Sequence, residues 1–593
     1  MSDFQNPQQE PGTERRLLLA FALTFLIIVV SQFLMKKYGP KVPDAAPVTQ
    51  TASPTTTPQN SPPQAGSPQK GSSQAAIPAA STATNSTVVT KQASAETETV
   101  VENDLYKIRF SNRGGLVKSW VLKKYDDDKG QPLELVNATA SEKYGFPLSL
   151  FTYDGNLQSR LNQALYVRSG EGTLHAPADI TFEFADQDLV VRKALHFDHS
   201  YLVKMETAVR YKGVDTQAYP SWPSGFGDEN NVAAYGASQI EYHTDEKVER
   251  LAAKKITGGN TINGPFAWVG PTDRYFAAIF LPDDPQNSAL VTLHNPLDIP
   301  KDADNPKANE TVKVDVLGAA VGDRRGPTSQ HLYVGPKSLE ILEKIPVPAL
   351  HGATPDLTGL VNFGFFEIIA KPLFQWLKWT YHHVVANWGW AIALQTLIIN
   401  LVLLPLRITQ MKSALKMQKI QPQAKAIQEK YKKYSLRDPR KAEMNTEIAA
   451  LYKHEGVNPA GGCLPLLIQM PFLFAYYSML GAALDLRHAP WLWVRDLSSP
   501  DPLHLLPVCI LISMFLVQKM TPQGAIDPQQ QKMMNIFMPI MLAFVSWNLA
   551  AGLCLYWSIG NVISIVQQTV MNKTSLGQEM RAMADKRARK AQK

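Results

Sequence analysis

Two sets of polar residues sit inside apolar stretches and share one spacing. Thr396, Asn400, Leu403 and Arg407 fall at i, i+4, i+7 and i+11 of one run, and Trp557, Asn561, Ser564 and Gln568 repeat that spacing in another. On a continuous helix such positions line one face within a ~60° arc. Gln469 places a third amide in a further apolar run. Amides, hydroxyls and a guanidinium so placed offer hydrogen bonds at a depth where lipid offers none. They are binding groups, not bond-making ones: GxxxxGK, HExxH, GxSxG and CxxC patterns are all absent from the chain. Two accounts fit. Each group makes an interhelical hydrogen bond worth ~0.6–2 kcal/mol, or the groups share a polar cavity. Matched stripes on two runs favour the cavity.

The elements that must position these groups are long apolar runs in a chain of 593 residues, too long for one core. The runs are 17–35, 388–406, 463–484, 503–518, 533–550 and 552–570. Each approaches the ~20 residues that an α-helix needs to cross a bilayer, so a polytopic membrane protein with six transmembrane helices is expected. The 503–518 run is short and holds Pro507. Away from their ends the runs lack Asp, Glu, Lys and Arg. Ion-coupled transporters place an ionisable group on the pathway, and no duplicated half with broken helices appears, so a small-molecule transporter is the disfavoured alternative. Cys463, Cys509 and Cys554 all fall in apolar runs and read as small buried hydrophobes.

Charge gives the orientation. Of the net +7, residues 407–462 hold 12 Lys/Arg against 5 Asp/Glu, and residues 571–593 hold 7 against 2. Both segments fall on one side of the expected spans, and basic loops mark the cytoplasm. Basic charge flanking spans does not call for DNA, and no DNA partner is expected. Arg15 and Arg16 precede the first run and Lys36 and Lys37 follow it, which reads as a retained anchor over 1–37. Residues 38–97, rich in Pro, Ser, Thr, Ala and Gln, cannot repay ordering entropy and read as a linker. Alternation in YLVKMETAVRY (201–211), LYKIRF (105–110) and TVKVDV (311–316) predicts a large extracytoplasmic β-sandwich over 98–346. Glu367, Lys371, Gln375, Lys378 and His382 make one polar stripe amid Phe, Ile, Leu and Trp, the pattern of an interfacial amphipathic helix within 347–387. Residues 408–456, broken at SLRDPR (435–440), predict a basic coiled-coil hairpin inside a five-helix core over 388–570, with a basic tail over 571–593.

VNPAGGCLPLLIQMPFLFAYYSML (457–480), DPQQQKMMNIFMPI (527–540) and GLCLYWSIGNVISIVQQ (552–568) closely resemble the YidC/Oxa/Alb membrane protein insertases. WVGPTDRYFAAIFLP (268–282) and LYVGPK (332–337) add the outer domain, so the resemblance is to the Gram-negative YidC form. It implies an inner-membrane insertase and chaperone with both termini cytoplasmic, its large domain in the periplasm, no cofactor and no enzymatic step. It also implies a hydrophilic groove, with Thr396, Gln469, Met470, Tyr556 and Trp557 carried over by motif position. Asn400, Asn561, Ser564 and Gln568 extend that lining on their stripes, and Arg407 stands at the cytoplasmic mouth. The implied partners are nascent membrane proteins, the Sec translocon, lipids, and the ribosome and targeting receptor through the hairpin and tail. A passive scaffold, or one whose outer domain binds carbohydrate, is the remaining alternative. In one respect the chain departs from the family. Family members place an Arg four residues after the Thr and five before a Pro, and here that residue is Asn400. Arg407 lies ~10 Å further along at 1.5 Å per residue, so hydration by uncharged groups is expected to replace a groove cation.

Overall fold

Alternating side chains build the outer half of the chain. Leu202–Tyr211 buries Val203, Met205, Thr207 and Val209 and turns Lys204, Glu206 and Arg210 outward, the period of a half-buried strand. It runs antiparallel between Leu189–Phe197 (Val203 opposite Phe197) and Thr328–Pro336 (Leu202 opposite Tyr333). These strands centre a ten-stranded sheet, flanked by two five-stranded sheets. The computed structural model describes residues 90–244, 247–301, 310–352, 355–434, 438–456, 464–520, 528–575, 577–579 and 582; the side chains of 464–469 and 528–534 lie outside that set.

The sheets share one core. Tyr106 meets Phe197 at 6.5 Å between ring centroids and Phe110 meets Phe182 at 5.8 Å, joining the first five-stranded sheet to the large one. Lys193 enters this core with 3 % of its surface exposed. Its ammonium donates to the carbonyls of Gly114 and Leu148 at 2.7 Å and of Gly115 at 3.4 Å. The linker expected over 38–97 ends sooner than composition suggests. Lys91 exchanges backbone hydrogen bonds with Ala185, and Glu96 binds Ser111 and Arg113. Short polar segments join a sheet edge this way because the edge supplies the partners. The anchor and the rest of the linker lie outside the described residues.

Among the described residues these helices follow: α1 (Glu367–His383), α2 (Trp388–Val402), α3 (Leu404–Lys430), α4 (Arg440–His454), α5 (Leu464–Ala482), α6 (Leu505–Met520), α7 (Pro528–Ser546) and α8 (Ala551–Lys573). Asn387 caps α2 through its side chain, satisfying a first-turn N–H. The second apolar run is not one straight helix. Pro405 has no N–H to give Leu401, and α2 and α3 meet at a 47° bend. Together the pair is long and apolar enough for a span; among the described residues no single helix is. α3 therefore starts at Leu404, before the 408 expected for the hairpin, and its Lys430 lies 3.4 Å from Glu447 of α4. On α1, Leu373, Phe374 and Leu377 are buried, whereas Ile368 and Trp379 are exposed. Lys378 departs from the solvated stripe expected of it: it is buried between Glu340 and Asp485. Cys554 is buried, but Cys509 is exposed on α6, against the expectation for that residue.

Candidate functional site: a polar cluster where three helices meet

The bend after Val402 decides the geometry. Because α3 leaves at an angle, Arg407 is not the last turn of α2 but the first turn of the next helix, and its side chain reaches back. Arg407 Nη2 donates to Asn400 Oδ1 at 3.2 Å, and Nη1 donates to Ser564 Oγ at 2.8 Å and to Gln567 Oε1 at 3.0 Å. Gln567 returns its amide N–H to the Asn400 carbonyl at 3.1 Å. Asn400 itself is 7 % exposed and donates to the Thr396 carbonyl at 2.8 Å. Three helices, α2, α3 and α8, thus close a ring of neutral groups around one guanidinium. No carboxylate lies within ion-pair distance of Arg407 among the described residues. Straight-helix spacing set Arg407 ~10 Å beyond Asn400; the bend instead brings its guanidinium within hydrogen-bond distance of Asn400.

Other residues of the two stripes separate. Asn561 donates to Ser513 of α6 at 3.1 Å and not to the groups around Arg407. Gln568 is buried, bonding Asn572 at 2.9 Å and the Met411 sulfur at 3.9 Å. Trp557 is half-buried and packs on the core. Met470 is half-buried on α5, and the side chain of Gln469 lies outside the described residues.

Toward the outer end, Thr396 is fully buried and bonds the Ile392 carbonyl at 2.6 Å. Tyr556 stacks on Tyr476 of α5 with centroids 4.1 Å apart. The Tyr476 hydroxyl donates to Gln395, whose amide donates to the Leu373 carbonyl of α1 at 2.9 Å. Gln395 is thus an interhelical tie, whereas Asn400, one turn nearer the bend, touches the cation. Farther out, Gly389 lets the first turn of α2 pack on the Trp491 ring, where any side chain would collide. Gln395 and Gln567 carry roles that stripe-reading did not give them. Gln567 neighbours Gln568, and only the bend selects it as the residue facing Arg407.

Comparison with known proteins covers the same two halves. Residues 98–376 match the family model described as YidC periplasmic domain, and residues 379–578 match the one described as 60Kd inner membrane protein. A membrane protein insertase YidC of Haemophilus influenzae is 31% identical over 94% of this chain and 97% of its own length. One of Campylobacter jejuni is 31% identical over 94% of this chain and 96% of its own. A crystal structure of an active YidC insertase with its first transmembrane domain resolved aligns at 19% identity and a TM-score of 0.34, covering 82% of this chain and 95% of that one.

Proposed function

This chain belongs to the YidC family of membrane protein insertases, and we propose that it inserts its substrates through a polar recess centred on Arg407. The observation that carries the reading is the guanidinium held by Asn400, Ser564 and Gln567. Arg has five N–H donors, and these contacts use three hydrogen bonds, so donors remain for a carboxylate or carbonyl of an entering chain. A nascent polar segment would meet water, amides and this cation while its apolar span moves into lipid. Each backbone group so satisfied avoids a cost of several kcal/mol in hydrocarbon. Gln469 and the half-buried Met470 and Trp557 are proposed as the remaining lining, whereas Thr396 and Tyr556 are buried. Asn561 and Gln568 hold α8 against its neighbours instead.

The chemistry is binding throughout, with no cofactor and no covalent step. Five spans from α2 to α8 together with an N-terminal anchor would place both termini in the cytoplasm and the β domain in the periplasm of a Gram-negative cell. The α3–α4 hairpin and the basic tail would then meet the ribosome and targeting receptor by charge, and the Sec translocon would share substrates within the inner membrane. The exposed Ile368 and Trp379 of α1 suit the outer membrane interface.

Purified chain in liposomes, offered a two-span substrate, should render the substrate's translocated loop protease-protected. Asn400→Leu should reduce that protection when the loop is charged. Unprotected loops with the wild-type chain would remove the insertase mechanism. Equal protection of charged loops after Asn400→Leu would remove Asn400 from it.

A further inference from the structure

The loop between α5 and α6 carries a tight turn that the recess does not use. Trp491 and Val494 exchange backbone hydrogen bonds, each 2.8 Å long, and lift Leu492 and Trp493 onto the tip between them. Leu492 is 66 % exposed, and its backbone stands at φ +49°. A bulky side chain rarely adopts that left-handed conformation, and holding it there costs free energy. Glycine would fill the position more cheaply. A lone exposed leucine needs no account; a strained one on a fixed tip does.

The turn is fixed against the first turn of α2. Trp491 is buried on Gly389 and meets the Trp390 ring edge-on, with centroids 5.6 Å apart. Trp493 lies against Trp491 at 5.5 Å and donates its indole N–H to Asp501 at 3.1 Å. Asn387, the cap of α2, donates to the Pro490 carbonyl at 3.0 Å. These contacts set the tip level with the start of α2. From there an exposed apolar strip runs along the helix. Trp390, Leu397 and Leu401 fall at i, i+7 and i+11, on one face within ~40°, and all three are exposed. Beside the start of α6 and the end of α7, Leu503 and Trp547 are exposed as well, with Trp547 stacked on His504 at 4.3 Å. Half-exposed tryptophans at helix ends suit a membrane–water interface, which takes up their apolar rings and leaves the indole N–H wet.

We propose that the Trp491–Val494 turn is a lipid-seated tip, with Leu492 entering the outer leaflet where headgroups give way to acyl chains. The occupant is phospholipid because the tip continues the strip that a spanning α2 turns to lipid. Hydrocarbon also covers an exposed leucine on all its free sides, and that burial offsets the backbone strain. The tip then holds the loop between α5 and α6 at a fixed depth, through an attachment that no span supplies. The inference rests on α2 crossing the bilayer and is independent of how Arg407 acts.

The test uses the full chain in liposomes, with Cys463, Cys509 and Cys554 replaced. A polarity-sensitive NBD dye is placed on Leu492→Cys or, as reference, on Leu397→Cys, and the lipid carries nitroxide-labelled phospholipid. Leu397 lies seven residues beyond Trp390, ~10 Å deeper at 1.5 Å per residue. Emission from position 492 should lie to the blue of the free dye in water. Nitroxides near the headgroup should quench it more than nitroxides near the chain ends, and that order should reverse at position 397. Emission at 492 as red as the free dye, with 397 quenched, would overturn the tip and leave the spanning of α2 intact. Blue emission at 492 that lipid nitroxides do not quench would place protein there, such as a second copy, and would overturn the tip as well. Quenching at neither position would remove the spanning of α2 and the tip with it.

Discussion

Lys193 in the β domain and Arg407 in the helical core are both basic side chains surrounded by neutral oxygens, and they differ in what is left over. Lys193 spends its three donors on three backbone carbonyls and is shut inside the core. Arg407 is half-buried at a helix bend and bonds three side chains, so donors remain. A saturated basic group pins the strands around it. An unsaturated one at a helix bend keeps donors for a further acceptor, which is what the proposed recess requires. Carboxylate partners elsewhere, such as Glu241 with Arg250 at 3.0 Å, make a third class whose job is to neutralise.

Removing Lys193 should have the largest effect. Lys193→Met strands the Gly114, Gly115 and Leu148 carbonyls, each unsatisfied group costing about 1–3 kcal/mol. Urea unfolding of the β domain, followed by tryptophan fluorescence in the full chain, should show its midpoint fall steeply. A change under about 1 kcal/mol would deny the pin.

Asn400→Leu should cost insertion more than stability, with a ~10-fold loss for charged loops, corresponding to about 1.4 kcal/mol. Ser564 and Gln567 still hold the guanidinium, so the thermal midpoint should move little. If stability and insertion fall together, Asn400 resembles Lys193 and the contrast fails.

The β domain should also respond to pH through Glu229. Its folded value near 8 lies above the ordinary 4.5, so between these values the folded state binds the extra proton. Stability contributed by that proton is present at low pH and lost as pH rises through about 8. Glu229→Gln should flatten the slope of the unfolding midpoint between pH 5 and 8. An unchanged slope would place the titration elsewhere. Smallest in its effect on insertion, Gln567→Ala removes one of the guanidinium's three hydrogen bonds and one to the Asn400 carbonyl, each worth roughly 0.5–3 kcal/mol. It should reduce charged-loop insertion only a few-fold and leave neutral loops unaffected. A loss as deep as that of Asn400→Leu would show Gln567 to be a principal ligand of the guanidinium.

Much of this was legible before any coordinates. Alternation in 201–211 marks a strand because burial on one sheet face repeats every second residue. The apolar runs mark helices because hydrocarbon-facing positions need no periodic pattern. The amides in those runs stand out for the converse reason. What stayed hidden depended on partners distant in sequence. Gln395 bonds a backbone carbonyl of α1, and no residue type announces a carbonyl acceptor. The ring around Arg407 required the 47° bend between α2 and α3. A straight-helix reading put Arg407 on the correct face but beyond reach of Asn400, and it chose Gln568 over Gln567. Division of the β domain into three sheets rests on long-range pairing, as between Tyr219–Trp222 and Thr311–Asp323, that local alternation does not specify.

The central claim is that Arg407 is a binding group of the recess and not a cytoplasmic anchor. It is tested most directly by comparing wild-type, Arg407→Met and Arg407→Lys chains in liposomes, with two-span substrates differing only in whether the translocated loop is acidic or uncharged. Protease protection of the acidic loop should collapse in Arg407→Met and return in part in Arg407→Lys, with the uncharged loop protected in all three. Equal protection of both loops by all three chains would contradict the account.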